Sequence, residues 1–387
     1  MSNSNRLGRY VLQKMEGESF KAYVPPHLPP IPAINLENLY PLLDKANHSL
    51  AELNGVAYSV PNVELFVYMY VRKEALLSSQ IEGTQSSFSD LLLFENELKP
   101  NIEIADVEEV SNYVVAVNYG LEQIKNGFPL SLRLLREIHA KLLQGSRGSN
   151  KNPGEFRITQ NWIGGTRPGN AMFVPPSPAY LMDCLSDLEK FIHDKKVKLP
   201  FLVKVGLLHV QFETIHPFLD GNGRLGRLLI MLLLCENGVL TEPILYMSLY
   251  LKKHRSLYYD LLQEVRTDGS WESWLEFFLE GIYKSAQQAL QMIEQLNKLF
   301  EDDLQKINTL GRAKESALLA FERFKKMPQA TVSVLARELN VSMPTARVAL
   351  QNLVKLGLVQ EVSGKMRDKI YIYRKYLDLL QAGTEPL

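Results

Sequence analysis

The stretch His-Pro-Phe-Leu-Asp-Gly-Asn-Gly-Arg-Leu-Gly-Arg, residues 216–227, is the part of this 387-residue chain that most constrains its fold and function. The apolar run Leu228–Cys235 follows directly, so the glycine-rich turn is predicted to open a buried helix. A turn of this kind at a helix N-terminus directs backbone N–H groups and the positive end of the helix dipole into one small volume. Arg224 and Arg227 add charged donors on one helix face. The stretch therefore predicts a phosphate site.

Two further side chains of the same stretch carry complementary chemistry. Asp220 precedes the turn, and its carboxylate suits a hard cation such as Mg²⁺ held against the same phosphates. His216 titrates near neutral pH and can accept a proton. A lone histidine is more often a satisfied core residue, but the complete block favours a nucleotide-phosphate site with its own base.

This block resembles the signature of the Fic family, His-x-Phe-x-(Asp/Glu)-Gly-Asn-Gly-Arg-x-x-Arg, and it matches every fixed position. The resemblance implies a mainly α-helical fold with a Fic-type helical core. It also implies transfer of AMP from ATP to a Ser, Thr or Tyr hydroxyl of a protein, with His216 as base, Mg²⁺ at Asp220 and Phe218 packed inward. The nucleotide-binding residues would be Gly221, Asn222, Gly223, Arg224, Leu225, Gly226 and Arg227. Transfer of UMP, phosphocholine or phosphate, known for other members of the family, remains an alternative.

Upstream of the signature, the helical pattern breaks between Gly154 and Pro178. Residues 156–159 and 161–163 alternate as short strands do, a glycine pair supplies a turn, and residues 173–174 resume the pattern. The hairpin resembles the Fic flap, which would clamp an extended target segment by strand addition. The predicted flap residues are Ile163, Gly164, Gly165 and Thr166. A hairpin without a role is the alternative.

A second motif lies at the end of a predicted helix over residues 63–79. Ser78, Glu82 and Gly83 match the Fic inhibitory motif (Ser/Thr)-x-x-x-Glu-(Gly/Asn). Alone the pattern is weak, because glycine commonly ends a helix. Together with the signature it resembles the class that is inhibited by an N-terminal helix of the same chain. A Glu82 carboxylate on the Arg227 guanidinium would take the place of a nucleotide phosphate, and in some members such a residue also supports removal of AMP.

The remaining patterns are mostly helical. Residues 1–34 have little periodicity, and their prolines predict an extended arm over residues 22–32. Helices are predicted over residues 91–98, 106–126, 131–143 with Ser131 as N-cap, 178–190, 247–266 and 271–299. The family resemblance implies an adenine pocket near residues 246–259, with Tyr250 and Tyr258 as candidates. Packing in the core is the alternative for both rings.

Residues 311–376 are predicted to form a winged helix-turn-helix domain. Its helices would cover residues 314–326, 332–339 after the cap Thr331, and 342–356, and a hairpin would follow. If it bound DNA, the side chains of Thr345, Arg347 and Gln351 would face the major groove, and those of Lys365, Arg367 and Lys369 would contact phosphates. A protein-contact or structural role is the alternative. With DNA binding by this domain, the chain would be a DNA-binding transcriptional regulator whose Fic domain senses nucleotide.

Composition agrees with an ordinary globular protein, with 46% hydrophobic and 22% charged residues. The zero net charge conceals an asymmetry, because residues 312–375 hold 13 Lys/Arg and 5 Asp/Glu, a surplus of 8. The expected domains are an N-terminal part with the inhibitory helix (1–105), a Fic catalytic domain (106–300) and the winged-helix domain (311–376). Cys184 and Cys235 have no metal-ligand spacing and are expected to be reduced core residues. The chain is expected to be a cytoplasmic protein without membrane contact. A homodimer is one of the assemblies that the sequence leaves open.

Overall fold

The computed structural model describes residues 6–15, 17–59, 63–95, 103–145, 148–364 and 369–385. Over these residues the protein is mainly α-helical with small antiparallel sheets, so the prediction of a mainly α-helical fold is confirmed. No helix among the described residues combines the length and apolarity needed to cross a membrane.

The helices and strands follow one another along the chain. The N-terminal part contains β1 (Arg9–Met15), β2 (Glu18–Val24), α1 (Tyr40–Ser59), α2 (Val63–Ile81), α3 (Phe88–Glu95), α4 (Ile104–Lys125) and α5 (Leu132–Leu142). The central part contains α6 (Pro178–His193), α7 (Phe201–Ile215), α8 (Asn222–Glu236), α9 (Ser248–Lys253), α10 (Arg255–Asp268) and α11 (Trp271–Ile307). The last part contains α12 (Lys314–Lys326), β3 (Gln329–Ala330), α13 (Val332–Glu338), α14 (Met343–Lys355), β4 (Gln360–Glu361), β5 (Tyr371–Ile372) and α15 (Arg374–Gln381).

Helices α7 and α8 form the centre of the molecule, because both are apolar on nearly every face and such helices must be covered by others. Helices α2, α4 and α5 cover α8, whereas α6, α10 and α11 cover α7. The prediction of a buried helix after the glycine-rich turn is confirmed. The loop between these two helices, residues 216–221, is thereby placed at the end of the most deeply packed helix pair.

The N-terminus differs from the predicted extended arm. Strands β1 and β2 form an antiparallel hairpin in which Arg9 pairs with Val24 and Met15 with Glu18. Phe20 and Ala22 alternate with exposed residues and pack on Val174, so a strand pattern was present before the prolines. The arm prediction was therefore wrong for residues 22–24.

The predicted flap strands over residues 156–159 and 161–163 were also wrong. The fully described segment 154–178 has one antiparallel bridge, between Ile163 and Phe173, in place of two paired strands. The reason is that the backbone N–H of Arg157 donates to the Pro217 carbonyl at 2.9 Å, outside the segment, and not to a second strand. This segment is tied to the loop between α7 and α8.

The helix predictions were mostly close. Ser131, Thr331 and Ser342 accept N-cap hydrogen bonds, which confirms these caps. Helix α3 begins at Phe88, earlier than predicted, and its predicted last residues 96–98 lie outside the described residues.

Helix α11 extends eight residues beyond the predicted end at Leu299. Its last turns bury Asp303 and Ile307 against the C-terminal elements, where the Tyr373 hydroxyl donates to Asp303 Oδ2 at 2.7 Å. In that part, β3 lies between α12 and α13, and β4 and β5 follow α14 and complete a three-stranded sheet of order β3-β5-β4. Helix α15 then packs on α2 and α3, so the C-terminal elements share one apolar core with the rest.

Candidate active site

His216 lies immediately after α7, in a left-handed backbone conformation with φ of 50°. The buried guanidinium of Arg157 holds this turn: its Nε donates to the His216 carbonyl at 2.9 Å, and its Nη2 donates to the carbonyls of Pro176 at 2.5 Å and Ile215 at 3.3 Å. Arg157 was not singled out from the sequence. The only sequence signal was an arginine inside an otherwise apolar alternating segment.

The imidazole of His216 is neutral at pH 7. Burial, together with the positive charges of Arg266 and Arg157, lowers the pKa of His216 to about 4, although the Glu213 carbonyl and the Glu82 charge act in the opposite direction. Its Nδ1 is enclosed by protein. A neutral imidazole is the form that a proton acceptor requires.

The loop after His216 is fixed from within. Phe218 is fully buried and stacks on His139 with ring centroids 3.7 Å apart, as its predicted inward packing requires. The Asn222 side chain accepts from the Phe218 N–H and donates to the Phe218 carbonyl, both at 2.9 Å. The Asn222 amide was predicted to hold phosphate, but here both of its polar ends close the loop instead. Asn161 also donates to the Phe218 carbonyl, at 3.0 Å.

Asp220 is the residue of this loop that suits a metal. Its Oδ1 accepts from the Gly221 N–H at 2.6 Å and from Arg224 Nη2 at 3.2 Å. Its Oδ2 faces Gly148, where a Cβ would lie 2.8 Å away, so the missing side chain leaves room at that oxygen. Among the residues that the structure describes, no group of three His, Cys, Asp or Glu could hold a metal alone. Asp220 thus fits a Mg²⁺ ion whose other ligands are substrate phosphates and water.

His139 positions Asp220 from behind. Its Nδ1 accepts the Gly154 N–H at 2.8 Å, so Nε2 carries the proton and donates to the Asp220 carbonyl at 2.9 Å. Burial lowers the pKa of His139 to about 4, which keeps the ring neutral.

The glycines of the signature bring its turn close to other groups. Gly221 precedes α8 with φ of 77°, a conformation that glycine adopts without strain. A methyl group at Gly223 would collide with Glu82 Oε1, and one at Gly226 would collide with Glu213 Oε1. Leu225 is fully buried and anchors the first turn of the helix.

Arg224 and Arg227 are both buried and both face carboxylates of the N-terminal helices. Arg224 Nη1 lies 3.0 Å from Glu109 Oε1 on α4, and the same oxygen accepts from the Thr84 hydroxyl at 2.9 Å. Sequence reasoning missed Glu109, although a glutamate within the apolar stripe of α4 is a usable signal.

Arg227 contacts Ser78 and Glu82 of the predicted inhibitory motif. Its Nε donates to Ser78 Oγ at 2.8 Å, and its Nη2 donates to the Ser78 carbonyl at 2.9 Å and to Glu82 Oε1 at 2.7 Å. Gly83 follows with φ of 100°. Burial alone would raise the pKa of Glu82, but the Arg227 ion pair and hydrogen bond outweigh it, so the pKa lies below its usual value. Glu82 is therefore an ionised partner that occupies the guanidinium.

The two tyrosines proposed for an adenine pocket lie in the packed core. Tyr258 is 1% exposed, and its hydroxyl lies 2.8 Å from His209 Nε2. Tyr250 is 7% exposed and donates to Glu280 at 3.4 Å. The neighbouring Tyr259 is 40% exposed, and the charges of Glu82 and Arg227 both act on its hydroxyl. Tyr259 was not selected from the sequence.

The flap residues form an exposed loop beside this cluster. The Ile163 N–H donates to the Phe173 carbonyl at 2.8 Å, and the Phe173 N–H donates back at 3.1 Å. Gly164 and Gly165 have φ of 69° and 70°, which turns the chain. The Thr166 N–H donates to Asn170 Oδ1 at 3.0 Å. The loop is braced at one end by the ion pair between Arg167 and Glu18 of β2.

Comparison with known protein families agrees with this geometry. Residues 40–122 match the Fic/DOC family N-terminal model, and residues 129–234 match the Fic/DOC family model. The chain thus carries a Fic/DOC N-terminal region followed by a Fic/DOC domain, and the signature loop and α8 lie in the latter.

Several curated relatives are named protein adenylyltransferases. The chain is 28% identical over 245 residues to protein adenylyltransferase Fic of Culex quinquefasciatus, covering 62% of this chain and 45% of the relative. It is 34% identical over 160 residues to the protein of that name from Aedes aegypti, covering 40% of this chain and 28% of the relative. The chain therefore spans less than half of the length of these relatives.

Among solved structures, a Fic family protein from Desulfovibrio desulfuricans shares the fold. Its TM-score is 0.54 at 18% sequence identity, with 86% of this chain and 96% of that chain covered. The likeness supports the mainly helical fold described above.

Proposed function

We propose that this protein transfers AMP from ATP to a Ser, Thr or Tyr hydroxyl of a protein, itself included, and that Glu82 inhibits the transfer. One observation carries the proposal: a neutral His216, the glycine turn that opens α8 and two buried arginines form one cluster. The names of the relatives add support.

The phosphates of ATP would bind at the N-terminus of α8. The backbone N–H groups of residues 222 and 223 and the positive end of the helix dipole lie at this terminus, and Arg224 and Arg227 would supply charged donors once their carboxylate partners give way. A Mg²⁺ ion held by Asp220 would neutralise charge on the departing pyrophosphate.

His216 would act as the general base. It accepts the proton of the incoming hydroxyl while the hydroxyl oxygen forms a bond to the α-phosphorus. The bond from that phosphorus to the bridging oxygen breaks, and pyrophosphate leaves. Because Nδ1 is enclosed, Nε2 is the nitrogen available to the target.

Glu82 would inhibit through Arg227. With its guanidinium occupied at 2.7 Å, Arg227 cannot fix the γ-phosphate, and the α-phosphorus loses its alignment for attack. The same carboxylate lies against the glycine turn, where it could position a water for removal of AMP. For adenine, the exposed Tyr259 replaces the buried Tyr250 and Tyr258 as our candidate contact, and the ring of Tyr258 packs against it with centroids 5.1 Å apart.

The target would bind along the flap. Gly164 and Gly165 are exposed, so their backbone groups could pair with an extended segment of the target, whereas the backbone groups of Ile163 are paired with residues 172 and 173.

The test is incubation of the wild type, of Glu82→Gly and of Glu82→Gly combined with His216→Ala, each with α-³²P-labelled ATP and Mg²⁺, followed by electrophoresis. Relief of the misalignment should raise self-labelling by about a hundredfold in Glu82→Gly. Adding His216→Ala to Glu82→Gly removes the base, so self-labelling should fall by about a hundredfold or more. The exposed Glu301→Gly and His48→Ala are matched controls and should label like wild type. Equal labelling with and without His216 would refute the mechanism.

A second function, DNA binding, is favoured by one observation. Residues 311–376 have the element order of a winged helix, and Thr345, Arg347 and Gln351 are exposed on α14. Lys369 Nζ lies 3.9 Å from Glu361, and Lys365 and Arg367 lie outside the described residues. Retention on duplex DNA that weakens with salt and with Arg347→Ala would support it. Retention that Arg347→Ala leaves unchanged would exclude this face.

A further inference from the structure

A groove between α2 and α9 holds residues 382–385, which we call the tail segment. Lys73 Nζ on α2 donates to the Ala382 carbonyl at 2.9 Å, and Lys252 Nζ on α9 donates to the Glu385 carbonyl. The two lysines are only 4% and 7% exposed. Buried ammonium groups are costly unless they are paired, so these two depend on the carbonyl oxygens of the tail segment.

Gln80 joins the tail segment to the helix that carries Glu82. Its Nε2 donates to the Thr384 carbonyl at 2.7 Å and to the Ser86 carbonyl at 2.9 Å, while its Oε1 accepts from Lys252 at 2.7 Å. Gln80 is 1% exposed, so all of these bonds are shielded from water. Their loss would leave buried polar groups unpaired.

The groove also selects the shape of what it binds. Gly383 has φ of 80°, and a Cβ there would lie 2.9 Å from Leu249 Cδ1. Thr384 is 3% exposed and donates to the Gln381 carbonyl at 2.8 Å. The groove therefore favours glycine at position 383 and a small side chain at the buried position 384.

We infer that the groove is a peptide-binding site, occupied by the chain's own Ala-Gly-Thr-Glu segment, and that its occupation holds Glu82 on Arg227. The second part rests on the proposed function. Gln80 precedes Glu82 by two residues, and the Gly83 N–H donates to the Gln80 carbonyl at 3.0 Å. Whatever fixes Gln80 therefore fixes the last turn of α2.

The first test measures binding alone. A chain shortened after Gln381 is titrated into a fluorescent peptide of residues 379–387, and saturable binding is expected. A peptide with Gly383→Val should not bind, because its side chain would meet Leu249. Absence of saturable binding by the original peptide would overturn the site, whether or not the protein transfers AMP.

The second test measures coupling to Glu82. Self-labelling of the shortened chain should exceed wild type by about tenfold, equivalent to about 1.4 kcal/mol, and the added peptide should reverse the gain. Full-length Lys252→Met should also raise self-labelling, although no residue is deleted. Lys253→Met, at the exposed neighbouring residue, should label like wild type.

The outcomes separate the two proposals. If Glu82→Gly labels strongly but the shortened chain and Lys252→Met label like wild type, the coupling is wrong and the transferase stands. If Glu82→Gly does not label either, the transferase and the coupling both fail. The binding test alone then decides whether the groove is a peptide-binding site.

Discussion

The signature loop and the flap lie side by side, but they are held in opposite ways. Buried donors and acceptors contact the loop carbonyls and amides of residues 215–222, namely those of Arg157, Asn161, His139 and Asn222. The flap is held by the bridge pair Ile163–Phe173 and by side-chain contacts such as the Arg167–Glu18 ion pair, and Met172 within it is 81% exposed.

The difference shows how the protein divides chemistry from recognition. Groups that stabilise a transition state act best when they need no rearrangement, and the loop meets that condition. A segment that must accept a target backbone needs exposed main-chain groups, and the flap offers them at Gly164 and Gly165. We therefore expect changes in the loop to affect every substrate and changes in the flap to affect protein targets only.

The largest effect is expected for Arg157→Met in the Glu82→Gly background. Four carbonyls would lose this donor and His216 would shift, so self-labelling should fall by about a hundredfold, the cost that a misplacement of about 1 Å can have. Initial rates of labelling measure this, with thermal unfolding to verify the fold. Arg133→Met, at a residue whose side chain is 74% exposed, is the control. An unchanged rate would mean that the loop does not depend on Arg157.

A smaller and selective effect is expected for Gly165→Ala. The residue has φ of 70°, and a Cβ would lie 2.5 Å from the Asn170 carbonyl oxygen, so the flap must deform. Labelling of an added protein target should fall by about tenfold, or about 1.4 kcal/mol, while ATP affinity stays the same. Gly55→Ala, where a Cβ meets nothing within 4 Å, serves as control. A parallel loss of ATP affinity would contradict the separation of the two regions.

The smallest change is expected on acidification. Because burial, Arg266 and Arg157 lower the pKa of His216 to about 4, the base remains neutral as pH falls from 7.5 to 5.5. The kcat/KM of Glu82→Gly should therefore stay nearly constant, whereas an ordinary histidine would lose about tenfold by pH 5.5. Arg266→Met, which removes a positive charge, should move the acid limb to higher pH. An acid limb near 6.5 in the parent variant would show that His216 is not the titrating base.

Sequence patterns predicted what depends on neighbours along the chain. The glycine-rich turn before α8 and the caps Ser131, Thr331 and Ser342 are local features, and they were identified correctly. The β1–β2 hairpin was missed because its alternation is short and precedes prolines.

Partners distant in sequence could not be predicted in the same way. Glu109 and Arg157 act through residues more than fifty positions away, and no local pattern specifies such pairs. The tyrosine pair shows the limit of periodicity: neighbours on a helix point about 100° apart, and only packing shows that Tyr258 faces His209 while Tyr259 faces outward.

The 37-residue helix α11 has a consequence for how this chain can be altered. It is about 55 Å long, and its last turns are shared with the C-terminal elements through Asp303 and Ile307. Each inserted residue would rotate everything beyond it by about 100°, which would turn α15 away from α2 and α3. Length changes in α11 are therefore tolerated only near whole helical turns, and the C-terminal elements cannot be exchanged as a unit on a flexible linker.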